Sequence, residues 1–248
     1  MSTYKTVAAW NVQRGAKFLD IVRMLRENSV DIALLQECDI GMARSGNVHV
    51  PREVAEGLGY EYTVAIEFEE HGIGNKEERE QFPRATNKNG LHCNATLSYK
   101  LPFVSHHIEL SSGREWKMNG DQPRHGGRIA LAVKIDGVYF VNVHLESRTS
   151  PEKRVGQMNR LLHALDRLSA ERVVIGGDLN TKEEDDKLLF LCAENRGYLW
   201  RDANLDVGRF AGKRFDWFLY RGVSIGNPFT INATGISDHD LILVDVLA

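Results

Sequence analysis

No stretch of the 248-residue chain is apolar for long enough to span a membrane. Nor does the chain open on a basic segment followed by an apolar one and a small-residue cleavage site; Met1 to Lys5 are polar and run straight into the apolar 6–10. Cytoplasmic location is the default expectation. Cysteine is scarce: Cys38, Cys93 and Cys192 are an odd number without paired spacing. That argues against a disulfide framework or a zinc knuckle and leaves three reduced, inert thiols. Excess positive charge is missing too, since 31 basic against 34 acidic residues leave a formal net charge of −3. Proteins that grip long polyanions usually carry a basic stripe, and none stands out. Tight nonspecific duplex binding is therefore not expected, although a bound divalent cation adds positive charge outside that tally. The chain has no Gly-x-Ser-x-Gly, no Walker loop, no complete Gly-x-Gly-x-x-Gly and no zincin histidine spacing. With no internal repeat, low-complexity tract or linker, residues 1–248 are read as one domain.

What remains is an ordinary globular composition, 42% hydrophobic and 26% charged. Short β-rich runs at 5–10, 31–35, 62–68, 95–99, 129–135, 138–143, 173–175, 215–220 and 241–246 read as strands. Residues 18–26 carry Phe18, Ile21, Val22 and Leu25 at helical spacing. Residues 151–168 form the longest predicted helix, with Pro151 in its first turn and Val155, Met158, Leu161, Leu162, Leu165 and Leu168 as its stripe. Two long polar segments, 69–90 and 111–127, read as loops. Many strands with few helices predict an α/β architecture of two packed sheets with helices outside.

Chemistry collects where the strands stop. Apolar runs close on Asn11, on Gln36-Glu37, on His144 and on Asp178, with Asn180 two residues later; Ser237-Asp238-His239 precedes the last run. An antiparallel last strand brings that tripeptide to the same edge as the others. Glu37, Asp178 and Asp238 are hard oxygen donors, and Asn11 and Asn180 are neutral ones. The set suits Mg²⁺ or Mn²⁺ better than zinc. A carboxylate–metal site with two histidines fits phosphoryl chemistry, in which positioning and charge neutralisation dominate.

The ordered set Trp10-Asn11, Leu35-Gln36-Glu37, Asn142-Val143-His144-Leu145, Gly177-Asp178-Leu179-Asn180, Phe215-Asp216-Trp217-Phe218 and Ser237-Asp238-His239 resembles the endonuclease/exonuclease/phosphatase superfamily across nearly the whole chain. The resemblance implies a four-layer α/β/β/α sandwich of two mixed sheets. It implies Glu37 as a ligand of Mg²⁺ or Mn²⁺, Asp238 as a second direct or water-mediated ligand, and Asn11 placing metal water or phosphate. Asp178 then orients or deprotonates the attacking water, Asn180 meets the phosphate, His144 and His239 donate to phosphoryl oxygens, and Asp216 orients the ring of His239. Gln13 stands where several members carry an acid, which leaves the metal site less negative and weakens metal affinity or favours a single ion. The run His144-Leu145-Glu146-Ser147, with Arg148, Arg154 and Gln157-Met158-Asn159, is similar to tyrosyl-DNA phosphodiesterases of the superfamily. Residues 90–98 are similar to a central strand of bacterial members.

The expected substrate is a phosphate ester: a nucleic-acid end, a short single strand or a small phosphodiester. Neither polar segment has an apolar run able to enter a bilayer, and no obligate protein partner is evident. The rivals are a lipid or small-molecule phosphodiesterase, a phosphomonoesterase, and an inactive phosphate- or nucleic-acid-binding module. His49, His71, His106, His107 and His163 read as solvent-facing or packing residues, Trp116 as folded over the core, and residues 77–80 as a solvated helical turn.

Overall fold

The computed structural model describes residues 4–99, 104–118, 122–181, 186–202 and 215–247. In chain order come β1 (Tyr4–Arg14), α1 (Phe18–Glu27), β2 (Ile32–Ile40), α2 (Val50–Leu58), β3 (Glu61–Glu70), α3 (Lys76–Gln81) and β4 (Leu91–Ser98). Then follow β5 (Val104–Glu109), β6 (Glu115–Lys117), β7 (Arg124–Gly126), β8 (Ile129–Ile135), β9 (Val138–His144) and α4 (Pro151–Arg167). The chain closes with β10 (Val173–Asp178), α5 (Asp186–Glu194), β11 (Leu199–Asp202), β12 (Asp216–Arg221), β13 (Ser224–Ile225), β14 (Phe229–Ile231) and β15 (Leu241–Leu247).

One sheet is ordered β13-β15-β1-β2-β4-β3-β7-β6, with β14 also on β15; the other is ordered β11-β12-β10-β9-β8-β5. Each has a parallel pair near its middle, β1–β2 or β9–β10, and the strands of each pair are joined through a helix, α1 or α4; the remaining pairs are antiparallel. Three apolar clusters separate four layers. Ile21, Leu25 and Val54 pack α1 and α2 on the first sheet. Leu34, Phe140, Val174 and Phe218 lie between the sheets. Met158, Leu161, Leu165, Leu189 and Phe190 fasten α4 and α5 to the second sheet. The expected α/β/β/α sandwich of mixed sheets is what the chain adopts.

The inter-sheet layer holds a polar clamp in its apolar surroundings. Asn142 on β9 donates through Nδ2 to the carbonyls of Leu35 and Ala95 on the facing sheet, at 2.9 and 2.8 Å, and its Oδ1 accepts from Gln36 Nε2 at 2.8 Å. Both side chains are fully buried. Buried amides must find partners, so this arrangement fixes the sliding register of one sheet on the other just behind the ends of β2 and β9.

Several boundaries differ from those read in the sequence, for physical reasons. β1 continues to Arg14 through a bulge, because buried Val12 keeps the chain on the sheet and Arg14 pairs again with Cys38 of β2. The segment 69–90 is not all loop: Asn75 and Glu78 form a reciprocal capping box that starts α3. The segment 111–127 contains the β6–β7 ribbon. The nine-residue α2, started by His49 and Pro51 and ended by Gly59 in a left-handed conformation, is absent from the elements predicted above although Val50, Val54, Ala55 and Leu58 fall at helical spacing. No helix among the described residues is long and apolar enough to cross a membrane.

Replacing Asn142 by Ala strips the Leu35 and Ala95 carbonyls of their buried donor. We expect a loss of about 2–4 kcal/mol in urea unfolding with an unchanged m-value. A loss below about 1 kcal/mol would show that the clamp does not hold the sheets.

Candidate functional site

The topology sends four strand ends to one rim. β1 and β2 run parallel, as do β9 and β10, and they deliver Asn11, Glu37, His144 and Asp178. β12 and β15 run antiparallel to β10 and β1, so their starts lie at the same rim, with Asp216 directly opposite Asp178 and His239 just before β15. The loop before β15 is tied down: Ser237 Oγ donates to the Asn11 carbonyl at 2.7 Å, and Trp10 Nε1 donates to the His239 carbonyl at 2.9 Å.

Asp178 is the centre of this arrangement and is 2% exposed. Its Oδ1 accepts the Asn180 backbone N–H at 2.8 Å. Around Oδ2 stand Asn11 Nδ2 at 3.3 Å, His144 Nε2 at 3.5 Å and His239 Nε2 at 3.7 Å. His239 Nδ1 is held by Asp216 Oδ2 at 2.8 Å. Gly177 lets β10 bring Asp178 here: its φ is +144°, and a Cβ would lie 2.0 Å from the Val143 carbonyl oxygen.

Burial separates the protonation states of these groups. It raises Asp178, as does nearby Asp216, and these outweigh the opposing pull of His239, so the carboxyl is pushed up to about 7. Burial lowers His239, but the charges of Asp216 and Asp178 override it and lift the imidazole to about 10. Burial, helped by the Arg128 charge, drives His144 well below its ordinary value, so that ring is neutral. The site thus pairs a cationic imidazole with a neutral one, on either side of a carboxylate that titrates near neutrality.

Glu37 sits apart from this cluster, with a partly exposed side chain. Burial favours its neutral form, but the guanidinium charges of Arg14 and, further off, Arg128 hold it well below the usual carboxylate range. Its Oε2 accepts from Arg14 at 3.2 Å, while Oε1 has no hydrogen-bond partner among the described residues. The backbone is strained here: Gln13, Arg14 and Glu37 have φ of 45°, 73° and 57°, and β1 and β2 bulge at the same level. Asp238 lines a hollow of about 480 Å³ with Gln13, Arg14 and Glu78, and Arg14 is shared between that hollow and the surroundings of Glu37.

Asn11, His144, Asp178, Asn180, Asp216 and His239 therefore meet at one place, Glu37 lies beside them, and Asp238 lines the hollow on which Arg14 also borders. A tight group of possible ligand atoms is Asp178, Asp216 and His239. The same three side chains form an acid–base pair with a carboxylate beside it, His239 Nδ1 lying 2.8 Å from Asp216 Oδ2 and its Nε2 3.7 Å from Asp178 Oδ2. Asn11 Oδ1 accepts the Gln13 N–H at 3.0 Å, which leaves one lone pair.

Some contributors had no signal in the spacing. Behind Glu37, Asp39 takes two bonds from Arg44 at 2.8 Å each and one contact from His92 at 2.9 Å, while Arg44 also reaches Glu70 at 2.7 Å. Arg14 bridges Glu37 and Glu78, so Glu78 points inward rather than being part of a merely solvated turn. Trp116 is not folded over the core; it is 60% exposed and packs between His71 and His125.

A sequence model described as "Endonuclease/Exonuclease/phosphatase family" matches residues 8–239. No curated protein matches the chain by sequence. Among solved structures, a mannosyl-6-phosphatase of Bacteroides thetaiotaomicron superposes with a TM-score of 0.66 at 16% identity, over 98% of this chain and 100% of that one. The catalytic domain of human Nocturnin, with a bound sulfate anion, gives 0.65 at 17% over 98% and 93%. The endonuclease domain of TRAS1, a telomere-specific non-LTR retrotransposon, gives 0.59 at 13% over 99% of each. At such identities the likeness establishes the shared fold.

The electrostatic arrangement predicts an imidazolium at His239 in mildly alkaline solution. Imidazole ¹⁵N NMR at pH 8 should show both ring nitrogens protonated, and Asp216→Asn should convert the ring to a single tautomer at that pH. A neutral ring in the wild-type protein would contradict the pairing with Asp216.

Proposed function

Because the chain belongs to the endonuclease/exonuclease/phosphatase family, whose members are phosphoester hydrolases, we propose that it hydrolyses a phosphate ester, preferentially a diester, by in-line attack of water oriented by Asp178. The observation that carries this reading is the pairing of a carboxyl near pH 7 with an imidazolium 3.7 Å away. A base that titrates near working pH is the efficient choice for taking a proton from water. Asp178 Oδ2 takes the proton of the nucleophile, while Asn11 Nδ2 and Asn180 N–H keep the carboxylate oriented. His239, fixed by Asp216, and neutral His144 each donate an N–H toward the developing charge on the phosphoryl oxygens. Asn180 sits beside the same phosphate.

The residues present fit Mg²⁺ or Mn²⁺. Glu37 is anionic and partly open to solvent, its Oε1 has no hydrogen-bond partner among the described residues, and such ions bind through one or two carboxylates plus waters. Glu37 would be the principal ligand, with Asn11 Oδ1 and Asp238, directly or through water, contributing. With Gln13 in place of an acid, a single ion is favoured. When bound, the ion supplies Lewis-acid stabilisation of phosphoryl charge. We place the whole chain in one catalytic unit, with a nucleic-acid end, a short single strand or a small phosphodiester as substrate and the cytoplasm as its location. The structural neighbours include both a sugar-phosphate phosphatase and a nuclease domain, which is why monoesters and diesters are both assayed below.

Two outcomes test the reading with bis-p-nitrophenyl phosphate and excess Mg²⁺ or Mn²⁺. Asp178→Asn should lower kcat by about 10³-fold with an unchanged melting profile, on the scale of general-base catalysis; an active mutant removes its role. The rate should rise as pH passes about 7, where Asp178 loses its proton, and fall above about 10, where His239 loses its own. Separately, Glu37→Gln should raise the Mg²⁺ concentration for half-maximal rate at least tenfold by the loss of a charged ligand, and an unchanged titration would contradict ligation there. Activity on p-nitrophenyl phosphate exceeding that on the diester would assign the protein to monoesters instead.

A further inference from the structure

The chain as a whole is slightly anionic, yet beside Glu37 lies a cleft of about 830 Å³ lined by six basic side chains against three acidic ones. Its walls are the β6–β7 ribbon on one side and the loop leading into α4 on the other. Lys117 and Arg124 are cross-strand neighbours on the ribbon and share one face of it. Together with Arg128 they converge on a single carboxylate, Glu146, at 3.5, 3.9 and 3.8 Å. Arg128 has a second acid, Glu67 at 3.0 Å, and Arg124 stands opposite Glu70 where β7 pairs with β3. Along the lining the cations still outnumber the carboxylates, and much of Arg124 and nearly all of Arg128 is shut away from water.

Desolvated cations without full compensation are costly, and an arriving anion relieves the cost. Two further observations point to an anion. Arg128 Nε is buried without a hydrogen-bond partner. The N-terminus of the 17-residue α4, with Thr149 and Lys153, closes the far wall, adding the positive end of a helix dipole. Arg148, exposed and held at φ 47°, adds a further cation at the mouth. Glu146 follows His144 by two residues, a reach of about 7 Å along extended backbone. The cleft and the acid–base cluster can therefore be served by one molecule.

We propose that this cleft is a second phosphate subsite, and that the physiological substrate carries at least two phosphates: one attacked at Asp178 and another held by Lys117, Arg124 and Arg148, with Arg128 behind them. In the free protein Glu146 occupies the middle of these cations, and the incoming phosphate shares them. The second phosphate is either that of a neighbouring nucleotide or that of a doubly phosphorylated small molecule. The inference rests on the phosphoesterase reading above.

The test measures kcat/KM for matched pairs: the dinucleotide TpT with and without a 5′ phosphate, and glucose 1,6-bisphosphate against glucose 1-phosphate. Wild-type protein should favour the two-phosphate member of one pair at least tenfold, mainly through KM, and the pair that shows it identifies the source. The double variant Lys117→Ala/Arg148→Ala, altered at solvent-accessible positions, should bring that ratio to within about twofold of one. A ratio near one in both pairs, or a preference untouched by the double variant, overturns the subsite. If bis-p-nitrophenyl phosphate hydrolysis succeeds while both ratios stay near one, only the subsite fails. If neither the diester nor p-nitrophenyl phosphate is hydrolysed, the hydrolase reading falls and calorimetric titration with inorganic pyrophosphate decides the subsite: binding at least fivefold weaker in the double variant supports it, and equal binding ends it.

Discussion

A single buried carboxylate organises this protein. Asp178 is removed from water, and four separate chain segments bring a donor or a charge to it: the end of β1 with Asn11, the end of β9 with His144, the turn after β10 with the Asn180 N–H, and the loop before β15 with His239. A carboxylate at such depth is unfavourable unless donors surround it. The sandwich therefore has to bring both sheets to one rim in one register. The Asn142–Gln36 clamp and the tight approach of Gly177 to Val143 enforce that register from behind. Fold and chemistry are coupled through this constraint rather than by proximity alone.

The charged groups divide into two neighbouring territories with different tasks. Around Asp178 the charges are few, buried and nearly balanced, which gives each titrating group a distinct state. Around Glu37 and the cleft they are many, and the Asp39–Arg44–Glu70 network holds β2, the turn after it and the end of β3 together by ion pairs buried on both sides. Removing one partner of such a network would leave an uncompensated charge inside, so its members act as a unit. The network gives Glu37 a rigid backing without itself reaching the rim.

How much of this could be read from the sequence depended on whether a residue announced itself by local pattern. Apolar runs that end in Asn11, Glu37, His144 and Asp178 gave both the strands and the edge, because a period-two segment closing on an ionisable residue leaves few readings. Six of the eight named site residues lie together, with Glu37 beside them. Asp238 lines the adjoining hollow, since adjacency to His239 in sequence fixes where the backbone goes but not where the side chain turns. The cationic cleft left no trace, because Lys117, Arg124, Arg128 and Arg148 come from a ribbon and two loops and look like scattered surface charge until β6 and β7 pair. Asn142 and Gln36 stood inside conspicuous motifs, yet their work is in the interior. Composition cannot distinguish an amide that meets a ligand from one that joins two sheets.

The rim is also where the backbone is least comfortable. Gln13, Arg14, Glu37, Arg148 and Asn180 all hold left-handed conformations with side chains attached, each costing on the order of 1 kcal/mol over glycine. Glycine at any of them would ease the chain, and at Glu37 or Asn180 it would erase the group that the conformation exists to present. Any effort to make this protein more heat-resistant by relieving strain will find its easiest gains where turnover is forfeited. The durable gains lie on the outer helices, where conformation and chemistry are independent.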